Sequence, residues 1–487
     1  MHSRRFTGIF VAIALLFSAT QVNAETDFSI GGVYTAWLQS QHNFTFTDNA
    51  YDHEYAIQML RFNMSFSANE YITGVTRFDI AQGWWGVDNA LRSVQRTGTS
   101  GGSALFDFKD TNFLLHVDQA YVDFTIPNTV LGFKVGRMWY GHGNRLVLDN
   151  NLDGIQFGIS DALNIGYAKV SEGVDALTDD DTAGPDQRGF TDARDADLFT
   201  VNFSNALENF TYDAFVLYYN DASTGDNNAY VPDHLQYFKT RFSPQVTQLV
   251  TLGFAGDLTL EKLTLTGEFD YLFGQDDIDN SVYGGAQMWD INNGNLSGYN
   301  LYLKANYAAS DALSLGGVFG MGSGDEDKSG GAGNVNKLRT SGFFYLTEIW
   351  EDSIMPDEEG ITPQGLGAPN VRGYRELENT TALQVNGSYK VFDNVTGFLS
   401  YTYLGATQPI QAWQADGEGD WEFLDRSSSY IGQEVDFRIT YAPYQALNLI
   451  LRGGYFIPGD GAAYLINGDA TNKEDAWELK GMVTYKF

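Results

Sequence analysis

The charged residues best placed to do chemistry in this 487-residue chain come spaced two apart: Arg77 with Asp79, Glu268 with Asp270, Asp436 with Glu434 and Arg438, and Glu478 with Lys480. Residues i and i+2 of an extended strand share a face, so each group projects one way. The same parity adds Arg61, Lys134, Lys304, Arg452 and Asp213 to that face. Seven bases against seven acids carry no net charge, which leaves ion preference undecided. Around a wet lumen, such arrays supply a transverse field and hydrogen-bonding partners for a polar solute that has shed part of its hydration. Read as plain structure, the same pairs brace a wall. Tyr302, Phe398, Phe215 and Phe456 fall at the same parity. They offer flat faces either to sugar rings or to a segment folded in against them.

Catalytic signals are thinner. The chain has no cysteine, which excludes a disulfide scaffold and a thiolate metal site. No H-x-x-x-H zinc pattern, Ser–His arrangement or phosphate-binding loop appears. His116 with Asp118 is the pairing on which a barrel hydrolase would rest. No catalytic residue, cofactor, metal or nucleic-acid partner is expected.

Strands must carry these groups. Period-two alternation recurs in eighteen segments of about ten residues. From Trp477 to Phe487, Trp477, Leu479, Val483, Tyr485 and Phe487 alternate with Glu478, Lys480, Met482, Thr484 and Lys486. Segments 263–273, 299–308, 432–441 and 446–457 repeat the pattern, their apolar faces ending in Tyr or Phe as an interfacial girdle would. Short turns such as Ser67–Glu70, Ala309–Ala312 and Phe392–Asp393 alternate with long connections, namely 82–112, 171–195, 220–244, 274–297, 322–378 and 405–431. Hydrocarbon tolerates only helices or closed barrels. The fold expected is therefore an all-β, antiparallel up-and-down transmembrane β-barrel of about 18 strands over residues 25–487.

Residues 1–24 read as a Sec signal peptide: Arg4 and Arg5, an apolar run Ile9–Phe17, then Val22-Asn23-Ala24. Its removal leaves 27 basic against 62 acidic residues, a net −35. Much of that charge lies in loops, in Asp179–Asp181, Asp325–Asp327 and Asp357–Glu359. These loops are expected either to hold divalent cations beside lipopolysaccharide or simply to be well solvated. Loop 322–378, the longest, contains Phe343–Leu346 and Ile349-Trp350. Such apolar groups in a wet loop suggest either a segment folded into the lumen or a hairpin lying on neighbouring loops.

Parity fails in one stretch, 113–139, where Arg137 falls on the apolar face of Leu131, Phe133 and Val135; a β-bulge or a strand end rising above the bilayer is implied. That stretch also carries a resemblance. Asp118–Phe124, Val135-Gly136-Arg137, Gly143–Leu146 and Leu152-Asp153-Gly154 resemble the "QAYVDF", "VGRQ", "YGNQRL" and "FDGV" elements of the alginate-export family of outer-membrane porins. Gly322–Asp327 looks like that family's "SGD" segment. The resemblance implies an 18-stranded barrel that passively exports an anionic polyuronate through an arginine-lined lumen, with Arg137 and Arg145 at the family's arginine positions. Met138 departs from the family's Gln, and inward acids balance the bases.

Residues and resemblance together lead to an outer-membrane porin for small hydrophilic solutes, with anionic oligosaccharides or organic anions in view, surrounded by outer-membrane lipid and lipopolysaccharide. The expected pore-lining set is Arg61, Arg77, Asp79, Lys134, Arg137, Arg145, Glu268, Asp270, Lys304, Asp436, Arg438 and Arg452. A barrel hydrolase and a non-conducting surface-display barrel are the alternatives.

Overall fold

The computed structural model describes residues 27–47, 52–85, 116–171, 196–221, 245–278, 294–324, 345–350, 377–415 and 421–487. The expected signal peptide and the three acidic loop clusters lie outside the described residues.

Eighteen antiparallel strands form one sheet that closes on itself. They are β1 (Asp27–His42), β2 (His53–Asn69), β3 (Ile72–Trp84), β4 (His116–Thr125), β5 (Leu131–Gly141), β6 (Asp149–Ile159), β7 (Leu163–Ser171), β8 (Ala196–Ala206) and β9 (Phe210–Asp221). There follow β10 (Gln245–Leu260), β11 (Leu263–Ile278), β12 (Gly294–Ala308), β13 (Leu313–Gly322), β14 (Thr380–Phe392), β15 (Val395–Ala415), β16 (Trp421–Tyr444), β17 (Leu447–Pro458) and β18 (Ala476–Lys486). A helix, α1 (Asp460–Asn467), interrupts the last connection. Each strand pairs with its chain neighbours, and β18 returns to β1 with Val33 opposite Lys486 and His42 opposite Trp477. Phe487 seals the seam, its backbone exchanging hydrogen bonds of 2.9 and 3.1 Å with Gly32. Closure removes every free sheet edge, which hydrocarbon would not tolerate.

The alternation dictates what faces where. On β18, Trp477, Leu479, Val483 and Tyr485 are exposed, whereas Glu478 and Lys480 are buried. On β10, Leu252 and Phe254 are exposed and Thr251 and Ala255 buried. The outward row of β10 from Val250 to Leu260 spans about 34 Å along the strand, or about 26 Å after a tilt of about 40°, which matches an outer-membrane apolar band. The short connections, the start of β1 and the end of β18 share one end of the barrel, and the longer connections leave from the other.

One sequence expectation is corrected and one open alternative is decided. Residues 405–431 do not form a loop: β15 and β16 continue as a hairpin to Ala415 and Trp421. Register shifts at Leu404/Gly405, Gly405/Ile410 and Gln411/Trp413 break the period there, so alternation could not reveal it. Within the stretch 113–139, the alternation of His116 and Asp118 against Tyr121 and Asp123 is broken in β4 by a bulge, the first of the two offered readings: pairing with β3 slips between Arg77 and Phe78, and Asp118 and Gln119 are consecutive buried residues.

Candidate functional site: the barrel interior

The interior is narrowed by chain that turns inward from the loop end. Residues 142–148, between β5 and β6, pack Val147 and Leu148 into a buried cluster with Met138, Tyr140, Leu198, Phe215 and Leu272. Across the lumen, Ile349 and Trp350 join Phe44, Phe46, Phe456 and α1 residues Leu465 and Ile466 in a second cluster. Phe46, Trp350 and Phe456 pack ring on ring at 5.2 to 6.5 Å between centres, Trp350 stacked on both phenylalanines and the two phenylalanines tilted at 41°. His142 stacks on Phe215 at 5.3 Å. Phe215 and Phe456 therefore back the inserted segments, whereas Tyr302 and Phe398 line open space.

Strand carboxylates hold the inserted segments through backbone amides. Glu434 accepts hydrogen bonds from the N–H groups of Ile349 (2.6 Å) and Trp350 (3.1 Å), and Asp436 from that of Glu348 (3.4 Å). On the opposite wall Asp213 accepts from Gly143 N–H (2.8 Å), and Glu268 from Asn144 N–H. Gly143 has φ +55, and a Cβ there would stand 2.6 Å from the Glu268 carboxylate, so the turn needs glycine.

Below segment 345–350 lies a chamber of about 680 Å³, lined among others by Lys304, Arg438, Arg452 and Lys480 with Glu348 and Asp436. Glu348 bridges Arg438 (3.1 Å) and Arg452. Arg438 thus pairs with the inserted segment rather than with Asp436, and its guanidinium lies 5.9 Å from the Phe398 ring centre. Lys480 pairs with Glu478 at 3.0 Å, and Gln39 and Gln41 donate to the other Glu478 oxygen. Lys304 makes no ion pair among the described residues. Acids also sit away from these bases, with Asp213 on β9 and Glu268 and Asp270 on β11, while Glu434, Asp436 and Glu478 share the wall of β16 to β18 with Arg438, Arg452 and Lys480.

Arg61 and Arg77 are engaged. Arg61 makes a bidentate pair with Asp79 at 2.6 and 2.7 Å, and Arg77 pairs with the bulged Asp118, which also accepts from Asn151 at 2.6 Å. These residues brace the wall between β2 and β4. Lys134 lies 3.7 Å from Asp123 and 5.9 Å from the Tyr121 ring centre.

Two members of the expected pore-lining set sit elsewhere. Arg137 shares the outward row of β5 with exposed Val135 and Trp139, while Met138 and Tyr140 point in. It faces Asp153, which faces Lys169, which faces Asp197, a row of alternating charge across β5 to β8. Arg137 lies 3.6 Å from Asp153, and Lys169 lies 3.2 Å from Asp197. Arg145 stacks on Trp139 at 4.9 Å and lies 3.9 Å from Asp149, at the rim. Gly136, at φ +127, packs so tightly on Ala120 and Tyr121 that a Cβ would clash.

Glu348 was legible only as an acid in a loop, since no periodicity marks an insertion. Its neighbours Leu346, Ile349 and Trp350 were the available signal; Phe343 and Phe344 lie outside the described residues, as does the side chain of His116.

No known family profile and no curated protein sequence matches the chain. In overall structure it is similar to Pseudomonas aeruginosa OccK9 (OpdG), at 11% identity and a TM-score of 0.49, covering 95% of this chain and 98% of that one. It is also similar to the Pseudomonas aeruginosa outer membrane protein opdK (11%, TM-score 0.46, 95% and 98% covered). A third likeness is to the outer membrane channel DcaP of Acinetobacter baumannii (12%, TM-score 0.39, 97% and 100% covered).

Proposed function

We propose that this barrel is an outer-membrane channel for passive diffusion of small hydrophilic solutes, with organic anions favoured. One observation carries the reading: a closed barrel with an apolar exterior encloses a chamber where Lys304, Arg438, Arg452 and Lys480 outnumber Glu348 and Asp436. A carboxylate entering from the turn end meets the guanidinium groups of Arg438 and Arg452, which share Glu348, with the Phe398 ring beside Arg438. The remaining interior polar groups replace water around a partly dehydrated solute.

Kinship with the alginate-export porins is part of this proposal, supported by the motif matches between Asp118 and Gly154 and by the strand number. Arg137 and Arg145 do not supply the anion contacts in this reading; Arg438 and Arg452 do. Lipopolysaccharide is the proposed neighbour of the outward charge row. Reconstitution in planar bilayers tests the channel: discrete conductance steps with an anion-leaning reversal potential, reduced by uronates more than by neutral sugars, are expected. A folded, inserted protein that passes no current would leave the surface-display reading standing.

A further inference from the structure

The sequence places Glu-x-Asp on the inner face of two strands, Glu268/Asp270 on β11 and Glu434/Asp436 on β16. Each pair is buried and each holds an inserted segment, yet only one is satisfied. At Glu434/Asp436 all four carboxylate oxygens have donors: Ile349 and Trp350 N–H on Glu434, and Glu348 N–H and the Ser400 hydroxyl (3.2 Å) on Asp436. At Glu268/Asp270 one oxygen is served, by Asn144 N–H. Glu268 Oε1 and both Asp270 oxygens have no hydrogen-bond partner.

A third group shares the deficit. Asn300 faces Asp270 directly in the β11–β12 register, and it too has neither its oxygen nor its nitrogen bonded. Asp270 and Asn300 are each 0% exposed and Glu268 is 2% exposed. The three side chains lie within reach of one another. Gly253 makes room opposite, since a Cβ there would stand 2.4 Å from Asp270 Oδ1 and 2.0 Å from the Phe215 ring. No lysine, arginine or histidine forms an ion pair with Glu268 or Asp270 among the described residues. Nor do three His, Cys, Asp or Glu side chains gather into one group there, so an amide must complete any ligand set.

Two adjacent buried carboxylates without counter-charge cost several kcal/mol each. A proton shared between them engages two of the three unserved oxygens, and the Asn300 amide is within reach of Asp270, but Asn300 Oδ1 is left without a donor. A hard divalent cation neutralises both charges and takes all three oxygens together with Asn300 Oδ1. Calcium accepts irregular all-oxygen sets and completes its shell with water, whereas magnesium demands a near-octahedron. We propose that Glu268, Asp270 and Asn300 form a buried calcium site on the inner wall. Because the other Glu268 oxygen holds Asn144, the ion ties segment 142–148 to β11. This inference needs the barrel but not conductance.

The test is calorimetric titration of the full-length, detergent-purified protein with CaCl₂ after EDTA treatment, in about 0.15 M KCl so that charges in exposed loops are screened. Wild type is expected to show one tight site per chain that vanishes in Asp270→Asn, weakens about tenfold or more in Glu268→Gln, and persists in Asp436→Asn. Heat-modifiable mobility on gels reports whether each variant is folded; should Asp270→Asn fail, the uncharged truncation Asn300→Ala takes its place. Identical isotherms for wild type and the folded site variant overturn the proposal. Absence of a tight site in wild type overturns it also, and assigns the pair a shared proton.

Discussion

Replacing Glu348 by glutamine is the most direct probe of the chamber. The substitution keeps shape and removes one negative charge from between Arg438 and Arg452, both of which it bridges. A chamber of about 680 Å³ is equivalent to a sphere of radius about 5.5 Å. A monovalent ion at its centre then feels the lost charge by about 0.75 kcal/mol at the dielectric constant of water. The anion gains that amount and the cation loses it, so the anion-to-cation permeability ratio rises about tenfold when salt is low. At physiological ionic strength the screening length of about 8 Å halves the energy, leaving about a three- to fourfold rise. Reversal potentials under a KCl gradient, in single reconstituted channels at two ionic strengths, read both values. A conducting Glu348→Gln channel with the wild-type reversal potential would refute the placement of this chamber on the conduction path.

Three further outcomes follow from the same geometry. Deleting 325–370 removes Glu348, Ile349 and Trp350 and should raise single-channel conductance; Trp350→Ala should do so more weakly while costing about 3–5 kcal/mol of stability. Arg438→Glu should move the reversal potential toward cations, whereas Arg77→Glu should chiefly destabilise, by about 3–5 kcal/mol, because it sets a second negative charge against buried Asp118, which keeps only Asn151 and Arg61 at 3.4 Å; urea unfolding separates the two. His142 is held down to about 4, mainly by burial, with Asp213 pulling the other way. The unfolded imidazole takes up its proton near 6.5 and the folded one does not, so stability falls as pH drops from 6.5 toward 4, by about 1.4 kcal/mol per unit. Unfolding free energies at pH 7 and pH 5 should therefore diverge by about 2 kcal/mol between wild type and His142→Gln; parallel losses would discount this histidine.

The wall was legible because lipid and water sort side chains with period two, and that rule holds at Leu479 and Glu478 as it does at Leu252 and Thr251. Where a strand leaves the bilayer the rule lapses, which is why the β15–β16 extension read as loop. The interior was legible one strand at a time but not in its pairings. Arg438 finds Glu348, 90 residues away, rather than Asp436 two residues away. Arg77 finds Asp118, which is itself the one unpaired residue of the bulge. Arg137 shows the limit from the other side: its parity with Val135 pointed outward, and outward is where it lies.

That outward row has a mechanical consequence. Arg137, Asp153, Lys169 and Asp197 sit just above the apolar belt of β5 to β8 and act as a waterline, since sinking them into hydrocarbon costs about 2–4 kcal/mol per cation at the midplane and less toward the headgroups. In the register, Asp197 is followed by the uncharged Asn220, Gln248 and Gln275 on the next three strands. The draught of the molecule is therefore fixed hardest along one flank. A thickening bilayer would heel the cylinder about that flank before it submerged the rest.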